Sequence, residues 1–319
     1  MPRIIAIGEL LIDFIPKQRG VALIDVTDFT KKPGGAPANV AVVAAKLGAK
    51  SALISQVGDD AFGHGLIRTI RGYGVETDNL FVSDRANTAL AFVTLDREGD
   101  RDFVFYRNPS ADQLLETKQI ELSPAKGDIL HFCSVSLSDH PIKRTHLDLI
   151  RRFKEAGGLI SFDPNVRLSL FSDHEYLQET IRSFLGYADI LKVAEDEIEF
   201  ITGEPDEAKA LSVLMAHGPR YLIVTRGRQG ASLYTRGGHY HKPSFVVKAI
   251  DTTGAGDAFI GAFLSRLAKR LPEPDEEQRL LLSYLDYANA AAALTVTKEG
   301  AMDGAPTKAE IDRFLSEHE

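Results

Sequence analysis

Cysteine is nearly absent: Cys133 is the only one in 319 residues. That excludes a disulfide framework within the chain and any cysteine-rich metal site. Long apolar runs are lacking as well. The opening MPRIIAIGELLID has an apolar run of 4–7, closed at once by Gly8 and Glu9, too short for a signal peptide. Nothing later approaches the roughly 20 residues of a spanning helix. The expectation is a cytoplasmic protein with no membrane partner. Positive charge is short, 37 Lys+Arg against 45 Asp+Glu for a net −8, and a nucleic-acid binder needs a basic face that this balance does not supply. Neither G-x-x-x-x-G-K-[ST] nor a G-x-G-x-x-G following a strand occurs, so the P-loop and dinucleotide readings fail. No nucleophile–His–acid constellation can be assigned from spacing, which leaves hydrolase chemistry unsupported.

What is present is an ordinary globular composition, 44% hydrophobic and 26% charged, with length enough to bury a large core. Periodicity predicts a strand at 4–7, apolar throughout and so buried on both faces. A helix of small residues follows at 38–47, with Pro37 in its first turn and Gly48 as its stop. The alternation continues through a strand at 51–57, a helix at 61–73, and the segments 128–134, 141–156, 159–163, 176–187, 190–193, 208–217 and 221–225. It predicts a mostly parallel sheet with helices on both faces. Two stretches break the rhythm. Residues 88–107 alternate as two strands around Glu98-Gly99-Asp100, a hairpin signal, and 13–31 holds β-prone pieces (FIP, VALIDV). Both are expected to form a small antiparallel sheet beside the main body, as insertions at about 13–31 and 86–110 of one domain spanning 1–319. Later, 230–251 reads as a hairpin followed by a strand at 245–250, and 254–269 and 279–294 read as long helices.

The strongest local signal is DTTGAGDAF at 251–259, at a predicted strand-to-helix junction. Glycines there turn free N–H groups toward an anion at the positive end of a helix dipole. Asp257 in the same turn is an odd neighbour for a bare anion site, but suits a base taking the proton from a hydroxyl that attacks a phosphoryl group. On the residues alone, a glycine-rich helix start with Asp257 as dipole partner remains the alternative. An unperturbed aspartate near pKa 3.9 is ionised at neutral pH, so such a base is expected to need no tuning. The second signal is KPGGAPANVA at 32–41, where adjacent glycines let a ligand approach the backbone and Asn39 lies one turn in. By itself it is as much a tight turn as a binding loop.

With IAIGELLIDF at the start and VGDDAFGHGL at 57–66, these segments resemble the PfkB (ribokinase-like) carbohydrate kinases over essentially the whole chain. FVFYRNPSADQLL at 103–115 most resembles the fructokinases. The resemblance implies a doubly wound ribokinase-like αβα sandwich, an α/β fold with a small β-sheet lid over a sugar. It implies ATP and Mg²⁺ as cofactors and a homodimer joined through the lids. By position, Asp257 matches the catalytic base, and the N–H groups of Gly254, Ala255, Gly256 and Asp257 the anion hole. Asp13, Gly34, Gly35, Asn39 and Asn165 match positions that hold the sugar, with Tyr106 and Arg107 as lid contacts. Arg167, in the D-x-N-x-R pattern of 163–167, matches a phosphoryl contact, for which a planar guanidinium is suited. Lys192, Thr225, Gly227, Gly230 and Asn289 match the nucleotide edge. Ala194 departs from the family by replacing an asparagine; Glu197, three residues on, is either an organiser of waters around Mg²⁺ or a solvated charge in an acidic run. Asp251 and Thr253 match a monovalent cation site, implied to be K⁺, with 297–301 closing over it. Arg107 has a plainer reading as an edge-strand charge, and Asp13 as a solvated loop residue. His239 and His241 share a strand face without a third ligand nearby; His64 and His131 read as packing or surface residues.

The expected activity is ATP-dependent phosphorylation of a sugar's primary hydroxyl, D-fructose first. The alternatives are 2-keto-3-deoxygluconate, a nucleoside, or binding without turnover as a regulatory protein.

Overall fold

The computed structural model describes residues 1–18, 20–95, 101–171 and 173–318, so the turn expected at 98–100 lies outside the described residues. The chain opens with β1 (Arg3–Ile7), β2 (Leu11–Pro16), β3 (Phe29–Gly34), α1 (Ala36–Lys46), β4 (Lys50–Gly58), α2 (Ala61–Gly72), β5 (Leu80–Ser83), β6 (Leu90–Leu95) and β7 (Arg101–Tyr106). It continues with β8 (Ile129–Cys133), α3 (Pro141–Glu155), β9 (Leu159–Asp163), α4 (His174–Leu185), β10 (Ile190–Ala194), α5 (Ile198–Thr202), α6 (Glu207–Ala216) and β11 (Tyr221–Thr225). The last part is β12 (Ala231–Tyr234), β13 (His239–Lys242), α7 (Ala255–Lys269), α8 (Glu277–Thr295), α9 (Ala301–Gly304) and α10 (Lys308–Ser316).

Nine strands form the main sheet in the order β13-β12-β11-β10-β9-β8-β1-β4-β5. It is parallel from β11 to β5, with β12 and β13 added antiparallel at one edge. The inner parallel strands are covered on both faces, as their unbroken apolar runs require. On β1, Ile5 and Ile7 enter one core with Phe132, Phe153 and Phe162. Ile4 points the other way, into a core with Val40, Phe263 and Tyr284 of α1, α7 and α8. The result is the helix–sheet–helix sandwich expected from the alternation. A second sheet, β3-β2-β6-β7, is the lid. Its β2–β3 and β6–β7 pairs are antiparallel as expected, but β2 and β6 pair in parallel across its middle, so the sheet is mixed and not wholly antiparallel.

Two further expectations fail. Residues 245–250 are not a strand: the chain between β13 and α7 is irregular, and Val246 is fully exposed. Of VALIDV, Leu23–Asp25 forms a 3₁₀ turn with Ile24 91% exposed. Both are apolar runs kept out of the sheets. The short edge strand β5 and the helices α9 and α10 went unrecognised in the periodicity. No described helix is long and apolar enough to cross a membrane.

Candidate active site

In a parallel sheet the carboxyl ends of the strands share one edge, where ligands bind. Asp163 ends β9 and Lys192 lies two residues from the end of β10. Strand alternation sends Phe162 and Leu191 into the opposite core, so Asp163 and Lys192 both face α7. They meet there: Lys192 Nζ lies 3.0 Å from Asp163 Oδ2, with both side chains buried. Burial alone would lower the Lys192 pKa, but Asp163 and Glu197 hold it above the usual lysine range.

The start of α7 is shaped by its glycines. Gly254 is the N-cap at φ +77, a left-handed conformation natural to glycine, and a Cβ there would lie 2.4 Å from Ala301 Cβ. Gly256 is helical, and its Cβ would lie 3.2 Å from Lys192 Nζ. Asp251 ties the approach down, accepting from Thr253 N–H at 2.7 Å and Gly300 N–H at 2.9 Å. Ala255 N–H makes a long bond of 3.3 Å to Thr252 O. Asp257, in the first helical turn, is buried and accepts from Asn39 Nδ2 at 2.7 Å. Burial raises its pKa to about 6, reinforced by Asp163 and opposed by Asn39, Lys192 and Arg167. The expectation of an untuned aspartate is therefore corrected. Asn39 Oδ1 is buried with no hydrogen-bond partner.

Lys192, Asn39, Asp257 and the turn at Gly254 line a cavity of about 480 Å³. Glu9, Asp13, Gly35, Asn39, Phe105 and Asn165 wall one part, and Arg167, Lys192 and the α7 start another. Asp13 reaches it from lid strand β2. The glycine pair before α1 is required by close approach: a Cβ on Gly34 would sit 2.1 Å from Asp13 Oδ2, and one on Gly35, at φ +108, 2.3 Å from Glu9 O. Asn165 has φ +46 and donates its N–H to Asp163 Oδ1 at 3.2 Å. Residues other than glycine seldom adopt that conformation, and asparagine tolerates it best.

A second cavity, of about 410 Å³ and mostly apolar, lies on the other side of the same helix start. Thr225, Gly227, Gly230, Val246, Phe259 and Asn289 line it, and it shares Thr252, Ala255 and Gly256 with the first. Asn289 Nδ2 donates to Lys242 O and Pro243 O, each at 3.1 Å, anchoring the irregular segment that forms one wall. Glu197 lines neither cavity; its carboxylate accepts from Val166 N–H at 2.6 Å and Ala194 N–H at 2.9 Å. Ala194 lines neither cavity.

Two lid residues are not where sequence reasoning put them. Tyr106 is 64% exposed and packs edge-to-face on Phe92 at 5.4 Å, on the outer face of the lid; Phe105, one residue earlier, takes the cavity side. The Arg107 side chain is buried, ion-paired with Asp112, and donates to Val135 O at 3.2 Å. Neither lines the cavity. Glu9, Phe105, Asp163 and the apolar run 245–247 were missed. Alternation along FVFYR allows only one of Phe105 and Tyr106 to face inward, and Glu9 at the end of β1 occupies the usual ligand-binding edge, so both signals were available. Among the described residues no group of three or more His, Cys, Asp or Glu could hold a metal. His239 stacks on Tyr234 at 4.4 Å, and His241 bonds Ser232 at 3.1 Å.

A model of the pfkB family of carbohydrate kinases matches residues 1–308. Fructokinase-1 of Zea mays is 43% identical over 314 residues, 98% of this chain and 97% of its own length. The fructokinase of Vibrio cholerae O395, solved with fructose, ADP and a calcium ion, superposes with a TM-score of 0.90 at 36% identity, covering 99% of each chain. A double mutant of it, solved with fructose, ADP and a potassium ion, gives 0.89 at 35% identity, covering 99% of this chain and 98% of that one. The protein belongs to the pfkB family of carbohydrate kinases.

Proposed function

We propose that the protein transfers the γ-phosphoryl group of ATP to the primary hydroxyl of D-fructose, giving fructose 6-phosphate and ADP. The observation that carries this reading is the meeting of two cavities at one helix start, with the buried Asp257 carboxylate lining the polar one. The polar cavity takes the sugar. Asp13 accepts from its hydroxyls, and the unpartnered Asn39 Oδ1 takes another; Asn165 and the Gly35 backbone complete the wall. Gly34 stands behind it, against Asp13. The apolar cavity takes the nucleoside, with Thr225, Gly227, Gly230 and Asn289 around it. This orientation points the phosphates at the N–H groups of Gly254, Ala255, Gly256 and Asp257, where helix dipole and backbone donors stabilise negative charge.

As the hydroxyl oxygen bonds to the γ-phosphorus, the bond to the β,γ-bridging oxygen breaks, ADP leaves, and the hydroxyl proton passes to Asp257. Asn39 aims the carboxylate. Lys192, held by Asp163, and Arg167 supply fixed positive charge beside the transferred group. Mg²⁺ fits this donor set as an ion carried on phosphate and water oxygens, since the nearby carboxylates of Asp163 and Glu197 are taken by Lys192 and backbone amides; when bound it neutralises phosphate charge. Glu197 would reach it only through water. A monovalent cation such as K⁺ near Asp251 and Thr253 would order the α7 start. The reaction belongs to the cytoplasm, where a chain whose single cysteine is buried and free needs no oxidising surroundings. A second copy of the chain is the partner we assign to the outer lid face.

The test is a coupled ADP-release assay over a panel of neutral sugars, sugar acids and nucleosides, in potassium and in tetramethylammonium buffers. Fructose is expected to give the highest kcat/KM, with more activity in potassium. Absence of ADP release with every member of the panel would leave a non-catalytic binding protein and overturn the reading.

A further inference from the structure

A buried charge cluster beneath the sugar cavity takes no part in the mechanism above. Glu9, 2% exposed, lines the cavity. Its Oε1 accepts from Ala36 N–H at 3.0 Å and its Oε2 from Ser136 Oγ at 2.6 Å; burial pushes its pKa up, opposed by the charge of Arg107 and the Ser136 hydrogen bond. Behind it, the Arg107 guanidinium is ion-paired with Asp112, whose side chain is wholly buried. Ser110 Oγ donates to the other Asp112 oxygen at 2.5 Å. The cluster thus holds two carboxylates against one guanidinium, and Arg107 is matched before Glu9 or Asp13 is counted. Among the described residues the cations that line the cavity are Arg167 and Lys192, with Lys192 already bonded to Asp163.

We propose that Glu9 and the Arg107–Asp112 pair act as a charge filter that selects neutral sugars over sugar acids. The proposal rests on the kinase reading and deepens it. A sugar carboxylate entering this cavity would meet Glu9 and Asp13, while the Arg107 guanidinium behind Glu9 is held by Asp112. A neutral polyol meets no such repulsion and can donate its hydroxyls to the same carboxylates. Discrimination thus comes from the repulsive element as much as from contacts to the preferred sugar.

The experiment compares kcat/KM for fructose and 2-keto-3-deoxygluconate in the parent protein and in Asp112→Asn and Glu9→Gln. The parent should favour fructose by at least about tenfold, and each variant should shrink that ratio by at least about fivefold. A merely structural role would lower both values together and leave the ratio unchanged. Because both side chains are buried and a variant can fail to fold, the acid is also tested as a competitive inhibitor of the parent; its Ki should exceed the KM for fructose at least about tenfold. A Ki at or below that KM, or an unchanged ratio in folded variants, overturns the filter. Parent turnover of the acid faster than any neutral sugar also overturns it while leaving kinase chemistry standing. Preference for a neutral sugar other than fructose sinks the fructose assignment alone, and the ratio is then read on that sugar.

Discussion

As the proposed base, Asp257 meets two opposed demands. It must be ionised to take a proton, yet burial disfavours its charge and raises its pKa to about 6. Catalysis follows the ionised fraction, so kcat/KM for the sugar should fall as pH drops through about 6. Stability runs the other way. A carboxyl with a raised folded pKa favours folding most when protonated, and that contribution is lost as pH climbs from the unfolded value of about 3.8 to about 6. The difference is worth on the order of 3 kcal/mol above pH 6. Asp257→Asn removes both acceptor and penalty. It should cut kcat at least about 10²-fold with the sugar KM little changed, and it should melt above the parent at pH 8, with the gap closing below about pH 4. Near-normal turnover would refute Asp257 as base, and a melting gap independent of pH would refute the burial argument.

The start of α7 extends the same reasoning to an element. Gly254 is fixed by two independent constraints, a left-handed φ of +77 and the 2.4 Å approach that a Cβ would make to Ala301. Gly254→Ala should therefore cost roughly 1–3 kcal/mol in urea unfolding and at least about tenfold in kcat, because the N–H groups of the first turn move. Adding Ala301→Gly should recover the packing part and leave the φ part; full recovery, or none, would show that one constraint alone operates. Gly256 is helical and unstrained, so its requirement is space beside Lys192. The motif itself was plain in the sequence because one short segment holds both the glycines and Asp257, the proposed base. So was the α/β alternation, whose apolar periods of 2 and 3.6 differ visibly. What surrounds the motif was not: Asn39, Asp163, Lys192 and Asp257 lie far apart in the chain and are brought together only by strand order. Residues 245–250 failed for a related reason. FVVKAI has a strand's composition, yet part of its apolar surface lines a ligand cavity instead of joining the sheet, and composition does not separate those two uses. Arg107 failed because its partner Asp112 lies five residues on, in a 3₁₀ turn whose ion pair alternation does not foretell.

For the whole molecule, the lid raises a question of exposure. Its inner face closes the sugar cavity, while its outer face carries Leu23, Ile24, Val26, Phe29, Phe92 and Tyr106 around a shallow hollow, with Ile24 91% and Tyr106 64% exposed. Isolated exposed apolar residues are unremarkable, but a contiguous apolar hollow on a sheet is the kind of surface that associates. A four-stranded sheet with open edges invites pairing unless something covers it. A second lid is self-complementary by two-fold symmetry and would cover both. The protein should therefore sediment at about twice its 34.9 kDa chain mass. Ile24→Asp with Tyr106→Asp should return it to the monomer, since each buried carboxylate would face its own copy across the axis. Because the same strands carry Asp13 and Phe105 on their inner face, the dimer is also expected to steady the sugar cavity. The monomeric double variant should show a raised KM for the sugar with the KM for ATP, bound on the main sheet, nearly unchanged. A parent that sediments as a monomer at micromolar concentration would remove the association, and equal increases in both KM values would remove the coupling between lid pairing and the sugar.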